Sequence, residues 1–164
     1  MPQDALDASY FSPDILVFIT LLDKWKVRYV VVGGEAVIYH GHARLTGDID
    51  FFYDATPENT AALFAVLKEF WSGDIPGLTH VEELQEVGVI IQFGRPPNRI
   101  DLLNQIDGVT FEEAWHTRVT ILVKNADANI ALHYLGLEKL IQNKSASARP
   151  KDQEDLRFLR RISR

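Results

Sequence analysis

The sequence predicts an α+β domain in which a mixed central β-sheet is flanked by helices and followed by a C-terminal helical pair. Three observations carry that prediction. Strand-like runs at Tyr29-Val-Val-Val and Asp48 to Tyr53 stand between stretches of helical apolar periodicity. Two later runs, 87–93 and 99–103, flank Gly94-Arg-Pro-Pro-Asn98, a turn that folds the second back on the first as a hairpin. The chain closes with two helix-like stretches, 135–143 and 152–161, joined by Ser145-Ala-Ser-Ala-Arg-Pro150.

Each element follows from local chemistry. Ser12-Pro13 is a cap followed by proline at the first helical position, and Ile15, Leu16, Ile19, Leu21 and Leu22 supply an apolar face that ends near Lys24. Tyr29-Val-Val-Val is a buried-type strand stopped by Gly33-Gly34, and a short helix from Glu35 to Tyr39 or His40 is closed by Gly41. The second strand is Asp48 to Tyr53. Thr56-Pro57 repeats the cap and proline, with helical periodicity to about Trp71 and a Gly/Pro loop over 71–79. A helical piece at 81–85 precedes the hairpin. Thr110-Phe-Glu-Glu113 is a capping box for a short helix reaching Trp115, and 119–123 and 129–132 are two strands around a polar turn.

A length of 164 residues with 46% hydrophobic and 24% charged composition fits one domain over 1–164, with a core of about 28–132 and C-terminal helices of about 134–162. No run has the length of a membrane span, and the N-terminus lacks the basic and apolar regions of a signal peptide, so a cytoplasmic protein without membrane contact is expected. With no cysteine, any metal must be held by oxygen or imidazole. From Lys139 onward eight Lys or Arg face three Asp or Glu, a local net of +5 against -11 for the rest. That tail either packs on an acidic body or binds an anion.

Asp48-Ile49-Asp50 is the most informative stretch. Alternate residues of a strand share a face, so the two carboxylates point the same way and repel, which a divalent cation with its preference for oxygen ligands relieves. Phosphoryl transfer with two such ions needs a third carboxylate from another strand. Asp101, in Arg99-Ile100-Asp101-Leu102-Leu103, is the candidate, the other reading being an edge-strand acid facing water. Gly33-Gly34 between strand and helix permits close approach of phosphate oxygens to backbone amides, or serves only a tight turn. Arg44 and Thr46 can donate to phosphate oxygens, or instead pair with a surface acid and end a strand. His40 and His42 raise a histidine metal site, against which no third histidine stands at helical spacing. Trp25, Trp71 and Trp115 read as core or rim aromatics.

Gly33-Gly34, then thirteen residues containing Arg44-Leu-Thr46, then Asp48-Ile-Asp50-Phe-Phe resembles the signature of the nucleotidyltransferase superfamily that includes DNA polymerase β. The tail from Leu137-Glu-Lys139 through Lys144, Arg149-Pro-Lys151-Asp152 and Asp155 is similar to the final helices of small prokaryotic members of the AbiEii-toxin type. The resemblance frames residues 28–160 and implies the nucleotidyltransferase fold. It implies that Asp48, Asp50 and Asp101 hold Mg²⁺, with Mn²⁺ as the alternative ion, and that Asp101 is the general base. Gly33, Gly34, Arg44, Thr46, Lys144, Arg149 and Lys151 would contact the nucleoside triphosphate substrate, Asp152 adjoining them or capping the last helix. The implied activity moves a nucleoside monophosphate to a hydroxyl of a small molecule, a protein or an RNA end, in a toxin–antitoxin setting. The alternative is a non-catalytic nucleotide-binding or protein-interaction module of such a pair. Acceptor recognition would come from a partner chain or a homodimer cleft. Two departures stand out: many members have Gly-Ser where this chain has Gly33-Gly34, and this chain carries extra residues, including Tyr39-His40-Gly41-His42, before the carboxylates.

Overall fold

Ser12, Thr56 and Thr110 each accept a hydrogen bond from the backbone N–H three residues on, at 3.4, 3.4 and 3.2 Å, and so start three of the helices. At Thr110 the capping box is complete, because Glu113 Oε1 accepts from Thr110 N at 3.3 Å. A computed structural model describes residues 4–126 and 128–164. Met1 to Gln3 of the N-terminal reading, and Asp127 in the expected polar turn, lie outside them. The chain order is β1 (Ala5–Asp7), α1 (Pro13–Lys24), β2 (Tyr29–Val32), α2 (Gly33–Tyr39), β3 (Asp48–Tyr53), α3 (Pro57–Phe70), β4 (Ile90–Phe93), β5 (Arg99–Leu103), α4 (Phe111–His116), β6 (Val119–Asn125), β7 (Ala128–Tyr134), α5 (Leu137–Ala146) and α6 (Pro150–Ile162). Two 3₁₀ turns stand at Ala8–Tyr10 and Val81–Gln85.

The strands form one seven-stranded mixed sheet in the order β1-β6-β7-β2-β3-β5-β4, which makes the protein α+β as expected. β2 runs antiparallel to β3, β3 parallel to β5, and β5 antiparallel to β4, so the anticipated hairpin closes the edge of the sheet. The central strand β2 is buried along its whole length, which is why it reads as an unbroken apolar run, whereas β6 buries only alternate residues, Ile121 and Val123. Phe18, Phe51, Leu67, Val31 and Leu132 are among the fully buried side chains that join α1, α3 and the sheet into one core.

Several boundaries move. β1, three residues pairing parallel with β6, has no signal in so short a segment. β4 begins at Ile90 instead of Val87, because Gly88 takes a left-handed φ of +82° and turns the chain just before it. α2 starts at Gly33, two residues early, and α5 starts at Leu137, after Leu135 has given its N–H to Val31 O at 3.0 Å. The capping role expected for Asp152 is corrected: Arg149 is the N-cap of α6, Pro150 its first residue, and Asp152 lies inside the first turn with its side chain directed at α5. Among the described residues no helix is long and apolar enough to cross a membrane.

Candidate active site

The register of two parallel strands assembles the carboxylates. β3 and β5 pair Asp48 with Arg99, Ile49 with Ile100 and Asp50 with Asp101. Side chains on paired residues share a face, so Asp48, Asp50, Arg99 and Asp101 project from one side while Ile49 and Ile100 enter the core on the other. Asp48, Asp50 and Asp101 each present a carboxylate oxygen within 4.8 Å of the other two, and Asp101 is buried. The edge-strand alternative for Asp101 is removed by its neighbour: β4 covers that edge, and Gln92 Nε2 donates to Asp101 Oδ2 at 3.3 Å.

Asp50 is the most perturbed of the three. Burial, then the charges of Asp48 and Asp101 and a hydrogen bond with Asp101, push its carboxyl up to about 7, with Arg99 opposing. Its Oδ1 is buried without a hydrogen-bond partner among the described residues. Gly33 is required beside it, since a Cβ there would lie 2.3 Å from Asp50 Oδ2 and the backbone φ is +65°. Gly34 is required by its neighbours too, because its Cβ would meet Thr46 Oγ1 at 2.7 Å. Thr46 Oγ1 donates to Asp48 Oδ1 at 3.1 Å, so it orients the first carboxylate.

Arg99, to which sequence reasoning gave no role, bridges two members of the group. Its terminal NH2 lies 2.6 Å from Asp48 Oδ2 and 3.1 Å from Asp101 Oδ2, and its Nε lies 2.9 Å from Asp101 Oδ1. A carboxylate partner at strand position i+2 on the same face was the available signal.

Two of the remaining expected anion ligands, Lys144 and Arg44, sit in a second, buried network. Lys144 Nζ is 2.6 Å from Asp152 Oδ1 and 3.3 Å from Asp155 Oδ2, and Arg44 NH2 donates to Asp155 Oδ2 at 3.1 Å, its Nε lying 3.0 Å from Asp155 Oδ1 without forming a hydrogen bond. Arg149 Nε donates to Asp152 Oδ2 at 2.7 Å, and Ser147 Oγ donates to the same oxygen. Burial pushes the Asp152 carboxyl up, but hydrogen bonds from Arg149, Lys144 and Ser147 overcome this and hold it well below the usual carboxylate range. Lys144 and Arg44 are therefore internal cations here. Arg149 is largely exposed and its charge is reinforced first by Asp152 and then by Asp50, which brings it within electrostatic range of the carboxylate cluster. Lys151 is exposed on the first turn of α6. Asp155, which had no assigned role, links Arg44 and Lys144.

His40 and His42 do not join the carboxylates: burial holds the His40 imidazole below its ordinary value, its Nε2 is 2.8 Å from Leu135 O, and His42 stacks on Phe158. Beside Asp48 a cavity of about 290 Å³ is lined by Tyr10, Ser12, Glu35 and Asn98. Tyr10 Oη donates to Glu35 at 3.2 Å, and burial raises the Glu35 carboxyl. The donor set suits a hard divalent cation. Three carboxylates converge, one oxygen is orphaned and buried, and no thiol or imidazole competes.

No curated protein matches the chain. Residues 14–160 match a protein family described as nucleotidyltransferase of unknown function (DUF6036), a span that covers the whole carboxylate cluster, α5 and all but the last two residues of α6. The chain belongs to that nucleotidyltransferase family.

Proposed function

We propose that the protein is a Mg²⁺-dependent nucleotidyltransferase, with Mn²⁺ as the alternative ion, that moves a nucleoside monophosphate from a nucleoside triphosphate to a hydroxyl acceptor. The observation that supports this most strongly is the convergence of Asp48, Asp50 and Asp101 on one face of paired strands. Asp48, Asp50 and Asp101 would hold divalent ions, whose chemistry is to offset the negative charge that builds on phosphate oxygens and to make the acceptor hydroxyl more acidic. The acceptor oxygen forms the new bond to the α-phosphorus, the bond to the β-phosphate oxygen breaks, and pyrophosphate leaves. Asp101 receives the hydroxyl proton in this scheme, as the family resemblance implies. Thr46 keeps Asp48 aimed, and Gly33 leaves room for Asp50 beside the glycine turn that the resemblance assigns to the triphosphate. Arg149 is the exposed cation in range to meet phosphate charge.

The other reading is a nucleotide-binding or protein-interaction module without chemistry. It draws on Arg99, Arg44 and Lys144, which already pair with carboxylates inside the fold. A toxin–antitoxin setting, and recognition of the acceptor through a partner or a second copy, rest on the resemblance of the tail.

Incubation with each of the four labelled nucleoside triphosphates, Mg²⁺ and a cell extract tests the proposal. Label should pass to an acceptor, and Asp48→Ala with Asp50→Ala should abolish transfer. Nucleotide binding without transfer by any of the four would turn the conclusion toward the module, and absence of both would overturn it.

A further inference from the structure

Arg99 makes its contacts with two of the three carboxylates that a cation would need. It stands opposite Asp48 across the β3–β5 pairing and two residues before Asp101 on the same face. Its guanidinium bridges the two carboxylates with three hydrogen bonds, at 2.6 Å to Asp48 and at 2.9 and 3.1 Å to Asp101. A planar fork of this kind matches carboxylates from two strands at once, which a lysine ammonium does not. Without it, three carboxylates would crowd one face at mutual distances within 4.8 Å. Asp50, by contrast, receives no hydrogen bond from Arg99 and keeps a buried, unpartnered oxygen.

We propose that Arg99 is a built-in counter-ion that holds Asp48 and Asp101 in the metal-free protein and competes with divalent cations for them. Metal entry displaces the guanidinium, and metal release restores it. The inference rests on reading the three aspartates as a metal site. It adds that the site is never left without a cation, and that metal affinity is set partly by the contacts that Arg99 surrenders. An oxygen that accepts an N–H at 2.6 Å directs that lone pair at nitrogen, so the two cations oppose each other even where a carboxylate has lone pairs to spare.

The test is metal binding by calorimetry with Mn²⁺, together with melting temperature in EDTA, for the wild type, Arg99→Met and Arg99→Lys. Arg99→Met should melt at a lower temperature in EDTA yet bind Mn²⁺ about tenfold more tightly, a coupling of ordinary size for two ligands of one site. Arg99→Lys, which keeps the charge and guards against a variant that fails to fold, should fall between the two. In the unmutated protein the side-chain Nε–H signal of Arg99, assigned by its loss in Arg99→Lys, should shift or vanish as Mg²⁺ is added. Equal or weaker Mn²⁺ binding by both variants, or an Nε–H signal unchanged at saturating Mg²⁺, would overturn the inference while leaving the metal site standing. Absence of Mn²⁺ binding in all three proteins would overturn the metal-site reading and the inference with it.

Discussion

Lys144 Nζ lies 2.6 Å from Asp152 Oδ1, and both side chains are almost wholly removed from solvent between α5 and α6. Asp155 stands 3.3 Å from the same ammonium and extends the network to Arg44 on the loop that leads into Asp48. The C-terminal pair of helices is thereby tied to the segment that carries the first two carboxylates. Removing one partner of a buried ion pair leaves the other charge desolvated, at a cost of about 3–5 kcal/mol. Lys144→Met should fall at the low end of that range, because Arg149 and Arg44 still face Asp152 and Asp155. Urea unfolding checks this. A midpoint equal to that of the wild type would show that the network contributes nothing to stability.

Gly33→Ala separates two effects that usually arrive together. A left-handed φ of +65° costs a non-glycine residue about 1–2 kcal/mol. The new Cβ would also sit 2.3 Å from Asp50 Oδ2 and force that carboxylate to move. Gly73→Ala is the control, with φ +94° and nothing within 4 Å of its Cβ. Both variants should lose stability in chemical unfolding, but only Gly33→Ala should weaken Mn²⁺ binding in calorimetry. Parallel losses of metal binding in the two would remove the case for a specific clash with Asp50.

The aspartates were legible in the sequence and Arg99 was not, for a physical reason. Asp48 and Asp50 share a face by the strand period alone, so one segment of sequence is enough to pair them. That Asp101 joins them depends on β5 lying beside β3, which an apolar strand with one acid suggests, while the parallel direction of the pairing is seen only in the fold. Arg99 becomes a ligand of Asp48 only in the exact register that sets the two side by side. Lys144 shows the same limit from the other side. As a lysine in a basic tail it reads as a free cation, and only the packing of α5 on α6 places two acids against it, eight and eleven residues later. The helix starts were readable because Ser12, Thr56 and Thr110 act on donors three residues away, whereas β1 depends on a strand more than a hundred residues distant.

His133 gives the protein a pH dependence of one sign. Burial first, and then the charge of Arg118, lower its imidazole to about 4, below the ordinary value of 6.5. Between those values the unfolded chain binds the extra proton and the folded chain does not, so the His133 contribution to stability rises with pH from about 4 to 6.5. His133→Gln should lower the slope of the melting-temperature profile over that range by removing this rise. A slope unchanged in the variant would assign it to other groups.

Asp50 acts in the opposite direction, in a window that overlaps. Its carboxyl titrates near 7 in the folded protein against 3.8 ordinarily, so the folded state is the one that holds the proton between those values. The Asp50 contribution to the stability of the metal-free protein therefore falls as pH rises from about 4 to 7, and above 7 a charged carboxylate stands buried beside two others. Asn imitates the protonated form, so the comparison of Asp50→Asn with the wild type isolates this group, the His133 contribution being common to both. In EDTA the variant should already be the more stable at pH 5, and the gap should widen by pH 8, by up to a few kcal/mol. Mg²⁺ at pH 8 should then close the gap by stabilising only the wild type, since binding to the folded state alone raises its stability by mass action. If the gap is the same at pH 5 and pH 8, Asp50 does not titrate in this window. If Mg²⁺ leaves the gap at pH 8 unchanged, the charge on Asp50 is not what the ion neutralises.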